Sequence, residues 1–221
     1  LWPYWQVSGP HPNHNKASSN QNSGKSSLLS VLLRILDIES GTIRIDGIDL
    51  QVVPREIIRS RLVTIPQEPF ILSGSVRLNA DPTSAASDDL IIAALTKVGL
   101  WPILSERGGL DAEMTANPLS QGQQQIFCLA RAMLKTGGRI LVLDEATSNV
   151  DAETDQLMQR LIREEFAGYT IITVAHRLDT ILDSNRIVVL DAGRAVEVGT
   201  PTELLSRPSA LRDLTGRKDW E

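Results

Sequence analysis

Leu119-Ser120-Gln121-Gly122-Gln123-Gln124-Gln125, followed a short helix later by Ile140-Leu141-Val142-Leu143-Asp144-Glu145, is the stretch that decides the fold. The first run reads as a helix start. The second reads as a strand buried on both faces, because its apolarity is continuous rather than alternating. Two further runs share that character, Leu62-Val63-Thr64-Ile65 and Thr170-Ile171-Ile172-Thr173-Val174. Helical segments separate them, including one over about 152–166 with Leu157, Leu161 and Ile162 on one stripe. Buried strands alternating with helices predict an α/β fold with a parallel sheet.

The polar residues at the ends of these runs converge. In open α/β sheets, ligands bind beyond the carboxyl ends of the parallel strands. The first run leads into Gln67, the second into Asp144-Glu145 and the third into His176, so periodicity alone places all of them at one sheet edge. Gly24-Lys25-Ser26 belongs at the same edge, opening a helix with Leu28, Leu29, Leu32, Leu33 and Leu36 at helical spacing. Backbone N–H groups and the positive helix end suit phosphate there. Lys25 would meet the β/γ oxygens and Ser26 a Mg²⁺ ion, with Ser23 and Ser27 flanking them. Asp144 closes an apolar strand, where a carboxylate is costly unless it serves an ion, and is the candidate Mg²⁺ ligand. Glu145 is the candidate general base for an attacking water, and His176 would contact the γ-phosphate. Each has a plainer reading beside it: Asp144 as a helix N-cap, Glu145 as a surface glutamate, His176 as a structural histidine, and Gly24-Lys25-Ser26-Ser27 as an uninformative tetrapeptide.

Composition sets the frame. A chain of 221 residues predicts one domain with a subdomain and a core that needs no staples. The single cysteine, Cys128, sits in an apolar helical stretch and reads as a core residue in a reduced, cytosolic setting. A net charge of −5 without any Lys/Arg run weighs against nucleic acid and anionic lipid as partners. No apolar run approaches the ~18 residues that span a bilayer, and no signal-peptide pattern opens the chain. The start at Leu1 rather than Met leads us to expect a partial chain. Residues 1–18, with Pro3, Pro10 and Pro12, read as an irregular lead-in. Hairpins are expected at Thr42–Ile45 turning on Asp46-Gly47, and at 187–198 turning on Asp191-Ala192-Gly193-Arg194.

Together these motifs resemble the nucleotide-binding domain of ABC transporters, from about Ser19 onward. The resemblance implies a P-loop NTPase (RecA-like) parallel-sheet core over 19–221, with a small helical subdomain over 68–118 that meets a transmembrane partner. It makes Gln67 the Q-loop glutamine, in contact with Mg²⁺ and water, and Asp144 and Glu145 the Walker B aspartate and catalytic glutamate. Leu119–Gln123 becomes the signature motif, with Gln121 where glycine is commoner. Ser148-Asn149-Val150-Asp151 becomes the D-loop and His176 the switch histidine. Gln123-Gln124-Gln125 and Pro66-Gln67-Glu68-Pro69-Phe70 resemble the C subfamily of multidrug-resistance-type exporters, with a fungal wording. Glu145 points to the second, C-terminal nucleotide-binding domain of such a protein. The family's mechanism implies two such domains sandwiching ATP head to tail, with Ser120, Gly122, Gln123 and Asp151 completing the site of the other domain. ATP and Mg²⁺ are the implied cofactors. The implied location is the cytosolic face of a membrane through partner domains, or the cytoplasm for the chain alone.

The resemblance fails upstream. The family's phosphate loop reads Gly-x-x-Gly-x-Gly-Lys-Ser, whereas Ser19 and Asn22 replace its first two glycines here. A buried strand is expected to precede such a loop, and 9–18 offers none. The family's N-terminal antiparallel β-subdomain, with its adenine-stacking aromatic, is expected to be absent, since no scaffold positions Trp2, Tyr4 or Trp5 for that task. A truncated or misjoined product, and with it a remnant that no longer binds ATP, is the alternative expectation.

Overall fold

The computed structural model describes residues 4–8, 24–116, 118–147, 150–174 and 181–216. The chain divides into two compact units. The first comprises Leu1–Val63, Arg139–Glu145 and Tyr169–Glu221, and the second Thr64–Gly138 and Ala146–Gly168.

The first unit is built on a parallel sheet. β1 (Tyr4–Ser8), β4 (Leu62–Ile65), β5 (Ile140–Asp144), β6 (Thr170–Val174), β7 (Arg186–Asp191) and β8 (Arg194–Gly199) lie in the order β4-β5-β6-β1-β7-β8. β5, β6, β1 and β7 are parallel neighbours, and β8 pairs antiparallel with β7. The three apolar runs are β4, β5 and β6, as their continuous apolarity predicted. Leu141, Val142 and Leu143 are all at most 3% exposed, which is what helices on both faces of a sheet produce. The α/β parallel-sheet class is therefore borne out.

β1 overturns the reading of 1–18 as irregular chain. Tyr4-Trp5-Gln6-Val7-Ser8 occupies the middle of the sheet, with Tyr4 opposite Ile171 and Trp5 opposite Arg186. Two aromatics and a valine favour extended backbone, and no proline stands among the five residues of the strand. A composition averaged over eighteen residues hides a five-residue strand. A strand does precede the phosphate-loop segment, although 9–23 between it and the first helix lies outside the described residues.

α1 (Lys25–Leu32) follows, shorter than its leucine spacing predicts. Arg34 turns left-handed at φ 53°, which ends the helix. Arg59, on α2 (Arg55–Arg61), then donates from Nε to the Leu33 carbonyl at 3.2 Å and from Nη2 to that of Arg34 at 3.0 Å, capping carbonyls the helix leaves unpaired. Leu29 and Leu32 face the core, while Leu28 and Leu36 stay exposed. Leu29, Leu32, Leu50, Ile58, Leu62, Val142, Val174 and Leu190 form one apolar cluster under the sheet. β2 (Arg44–Ile45) and β3 (Ile48–Asp49) form the first expected hairpin, whose turn at Asp46 (φ 51°) and Gly47 (φ 79°) needs positive φ at both central residues. The second, β7–β8, turns on Ala192 and Gly193 in the same way. Both hairpins pair antiparallel, and an isolated Ser75–Glu113 bridge is antiparallel as well. α8 (Pro201–Leu205) and α9 (Ala210–Gly216) close the chain, with the Glu197 carboxylate accepting from the amides of Ala210 and Leu211.

The second unit is helical: α3 (Val76–Ala80), α4 (Asp88–Lys97), α5 (Trp101–Glu106), α6 (Gln121–Leu134) and α7 (Ala152–Glu165). Ser75, Ser87, Ser120 and Asp151 cap α3, α4, α6 and α7, each accepting from a backbone amide of the first turn. Phe127, Leu129, Leu95, Met158 and Ile162 are buried in this unit. Met158, which the predicted stripe of α7 passed over, is fully buried, while Leu157 is only half-buried.

Candidate functional site

The first unit brings Lys25, Asp144 and Glu145 together. Gly24 caps α1 in the left-handed region, at φ 85° and ψ 1°, so the chain arrives at a sharp angle and turns directly into the helix. A Cβ built on Gly24 would lie 3.1 Å from the Gly193 Cα in the β7–β8 turn. Glycine is thus required twice, for its φ and for the close approach of two backbones. Gly24→Ala is expected to cost about 1–2 kcal/mol for the φ alone, and more for the contact, because a backbone atom cannot swing aside. Gly193→Ala, also at positive φ (76°) but with nothing within 4 Å, isolates the φ component. Thermal unfolding of the two variants should therefore separate, with Gly24→Ala the less stable; equal losses would remove the close-approach argument.

Lys25 opens α1 and is 8% exposed. Burial pushes its ammonium below the ordinary lysine value, and the carboxylates of Glu145 and Asp144 oppose that shift. A buried cation at a helix N-terminus favours an anion in front of it, where the helix dipole acts in the same sense. Ser26 and Ser27 are exposed in the first turn. Ser27 and Gly24, with Leu28, Val31, Leu190, Ala192 and Gly193, line a cleft of about 480 Å³.

Asp144 ends β5 opposite Val174 and is half-buried. Glu145 is also half-buried, so the surface reading does not describe it. Its amide donates to the Val174 carbonyl at 3.0 Å, yet its φ is 47°. The chain leaves the sheet in a left-handed step that a residue with a side chain resists by roughly 1–2 kcal/mol. Such strain at a carboxylate beside a buried lysine is typical of functional positions.

The second unit holds the other sequence-selected residues, apart from those outside the described ones. Gln67 is exposed just past β4. Ser120 and Gln123 form a capping box: Ser120 Oγ accepts from the Gln123 amide at 3.3 Å, and Gln123 Oε1 accepts from the Ser120 amide at 3.0 Å. The signature spacing is therefore also a helix-start spacing. Asp151 caps α7, accepting from the Thr154 amide at 2.9 Å and its hydroxyl at 2.8 Å, bonds that hold its carboxyl below the usual carboxylate range. Gly122 faces this cap, and a Cβ there would meet Asp151 Oδ2 and Thr154 Oγ1 at 3.8 Å, ordinary contact. Ser23, Ser148, Asn149 and His176, with Ser19 and Asn22, lie outside the described residues. Sequence reasoning missed Gly193, which meets Gly24 from the far end of the chain. It also left Gln125 unassigned, although a glutamine at an inward position of an amphipathic helix is a signal in itself.

No helix among the described residues is long and apolar enough to cross a membrane. A buried lysine at a helix start and two carboxylates at the end of a strand thus lie together in the first unit. The family model described as "ABC transporter" matches residues 21–148, and the chain belongs to that family. It is 54% identical over 184 residues to ABC multidrug transporter B of Aspergillus fumigatus, covering 83% of this chain and 13% of that protein. To ABC transporter atnG of Emericella nidulans it is 47% identical over 201 residues, 90% of this chain and 13% of that one. To the mouse ATP-binding cassette sub-family C member 10 it is 46% identical over 191 residues, 86% and 13% respectively. The chain thus spans about an eighth of the length of these relatives, and it resembles the nucleotide-binding domains of C-subfamily exporters. A solved bacterial Atm1-family ABC exporter with ATP bound superposes with a TM-score of 0.85 at 30% identity, over 99% of this chain and 37% of the other.

Proposed function

We propose that this chain binds Mg-ATP and hydrolyses it to drive export, acting with a second nucleotide-binding domain and with transmembrane domains. The observation that carries the reading is Lys25, buried at the start of α1 behind a left-handed Gly24, with Asp144 and Glu145 beside it. Desolvation works against the Lys25 ammonium even with the two carboxylates beside it, and an incoming triphosphate would turn that cost into affinity.

The roles follow from position. Ser23, Gly24, Lys25, Ser26 and Ser27 receive the phosphates. Ser26, Asp144 and Gln67 offer the hard oxygen ligands that suit Mg²⁺, an ion that takes one or two carboxylates and completes its shell with phosphate and water. Glu145 accepts the proton of the attacking water, and His176 steadies the γ-phosphate. Ser120, Gly122, Gln123 and Asp151 serve the nucleotide of a partner domain in a head-to-tail pair. Residues 68–118 form the helical subdomain that meets the transmembrane partner, and exposed Phe70, Leu78 and Leu90 supply apolar surface for it. The assembly would sit on the cytosolic face of a membrane.

Gly122 gives a test of the head-to-tail arrangement. Its own chain leaves room for a methyl group, and alanine is a better helix former by about 1 kcal/mol. Gly122→Ala is therefore expected to keep or raise thermal stability while lowering ATP turnover in the assembled transporter. Full turnover in that assembly would remove Gly122 from the nucleotide interface.

One observation favours a second reading: Ser19 and Asn22 stand where the family has glycines. The rival is a folded remnant that no longer binds nucleotide. Calorimetric titration of the purified chain with Mg-ATP decides between them. Saturable binding supports the motor reading; no binding by a folded chain leaves the remnant.

A further inference from the structure

α6 carries two polar side chains that none of the roles above employs. Gln125 is 2% exposed, and its Nε2 donates to the Pro66 carbonyl at 2.8 Å. Arg131 donates from Nη1 to the Phe70 carbonyl at 3.1 Å and from Nε to the Asn79 carbonyl at 2.7 Å. Pro66 and Phe70 bracket Gln67. Asn79, fully buried, extends the same fastening: it accepts from the Leu72 amide at 2.7 Å and donates to the carbonyls of Leu72 and Ser75 at 3.0 Å. Every one of these residues belongs to the second unit.

This is an expensive way to pack a helix. A buried amide and a half-buried guanidinium cost more to desolvate than leucines of similar size, and desolvation pushes the Arg131 pKa down. Arg131 also lies over the Phe127 ring at 5.6 Å, and its Nη2 is buried with no hydrogen-bond partner among the described residues. Packing alone does not call for such groups. Each instead takes a main-chain carbonyl at one end of a four-residue step, which is what fixing the path of a loop requires.

We infer that Gln125 and Arg131 are positioning residues for Gln67. They fasten the 66–70 backbone to the helix whose first turn carries Ser120 and Gly122, so that the Q-loop and the signature motif move as one piece. Gln125 and Arg131 lie about 9 Å apart along the helix axis, a span that brackets the loop. The inference rests on the role proposed for Gln67, although the fastening itself does not.

The test uses the full chain and three variants. Gln125→Met keeps length and volume and removes the donor, Arg131→Lys keeps the charge and loses the fork, and Gln67→Ala removes the side chain being positioned. Hydrogen exchange over 62–73, with the Leu72 amide as protected reporter, is measured beside ATP binding with and without Mg²⁺. Exchange over 62–73 should quicken at least about fivefold in Gln125→Met, the scale of one lost buried hydrogen bond, with 126–134 unchanged. The Mg²⁺-dependent gain in ATP affinity should fall toward that of Gln67→Ala, while Mg²⁺-free binding stays at the wild-type level. In the Gln67→Ala background Gln125→Met should add nothing further. Arg131→Lys should repeat the pattern and stands in if Gln125→Met does not fold. Unchanged exchange in both variants, exchange quickened equally along α6, or additive effects with Gln67→Ala would each overturn the inference. If Gln67→Ala leaves the Mg²⁺ dependence intact while the loop loosens in Gln125→Met, the role proposed for Gln67 is what fails.

Discussion

Glu145→Gln is expected to leave Mg-ATP bound and to lower its hydrolysis by about 10²–10⁴-fold, the usual contribution of a general base. The substitution keeps the size of the side chain and leaves the backbone alone. The left-handed step at φ 47° and the amide bond to the Val174 carbonyl are main-chain features, so stability should barely change. Binding should hold or tighten, because one carboxylate beside an incoming polyanion has been neutralised. The Lys25 ammonium also loses the larger of the two carboxylate influences that oppose its desolvation, so its pKa should move further down. Single-turnover hydrolysis and calorimetric binding, measured on the same preparation, separate the two effects. Unchanged turnover would remove Glu145 as the base.

Lys25→Ala should weaken Mg-ATP binding by about ten- to a hundredfold, since charge-assisted hydrogen bonds to a buried ammonium contribute about 1.5–3 kcal/mol. The loss has two sources. The cation that meets the phosphates is gone, and Asp144 and Glu145 no longer have it beside them when the triphosphate arrives. Lys25→Met gives the sharper version, because it retains most of the apolar stem and removes only the charge. Both variants should fold. Wild-type affinity in Lys25→Met would mean that nucleotide, if bound, sits away from the start of α1.

The parts of this fold legible in the sequence are those in which one residue type has one physical use. Leu141-Val142-Leu143 can only be a strand covered on both faces, and Asp46-Gly47 between short extended runs can only be a tight turn. Lys25 beside Asp144 and Glu145 followed from the carboxyl end of a buried strand and a helix start together. Legibility failed where neighbours decide. β1 was hidden because five strand-forming residues stand between prolines, and what places them in the sheet is Ile171 and Arg186, far along the chain. α1 ends early where Arg34 turns left-handed and Arg59, on another helix, caps the freed carbonyls, and no leucine spacing contains that information. An inward glutamine marks Gln125 as unusual in the sequence, but its partner, the Pro66 carbonyl, is fixed by the fold. Periodicity reports which face is buried; it is silent on which carbonyl waits there.

β1 has a further consequence, for how the protein is made. Its residues are synthesised long before their partners: Tyr4 must pair with Ile171 and Ser8 with Val189. The sheet's centre therefore stays vacant until β6 and β7 have been synthesised, and Tyr-Trp-Gln-Val-Ser waits as an unpaired extended segment. Pairings this distant are slow to close, and unpaired strands of this composition find other chains readily. During synthesis the five residues of β1 are thus a vulnerable segment and a natural client for a chaperone. Once seated between β6 and β7, they join the two halves of the sheet.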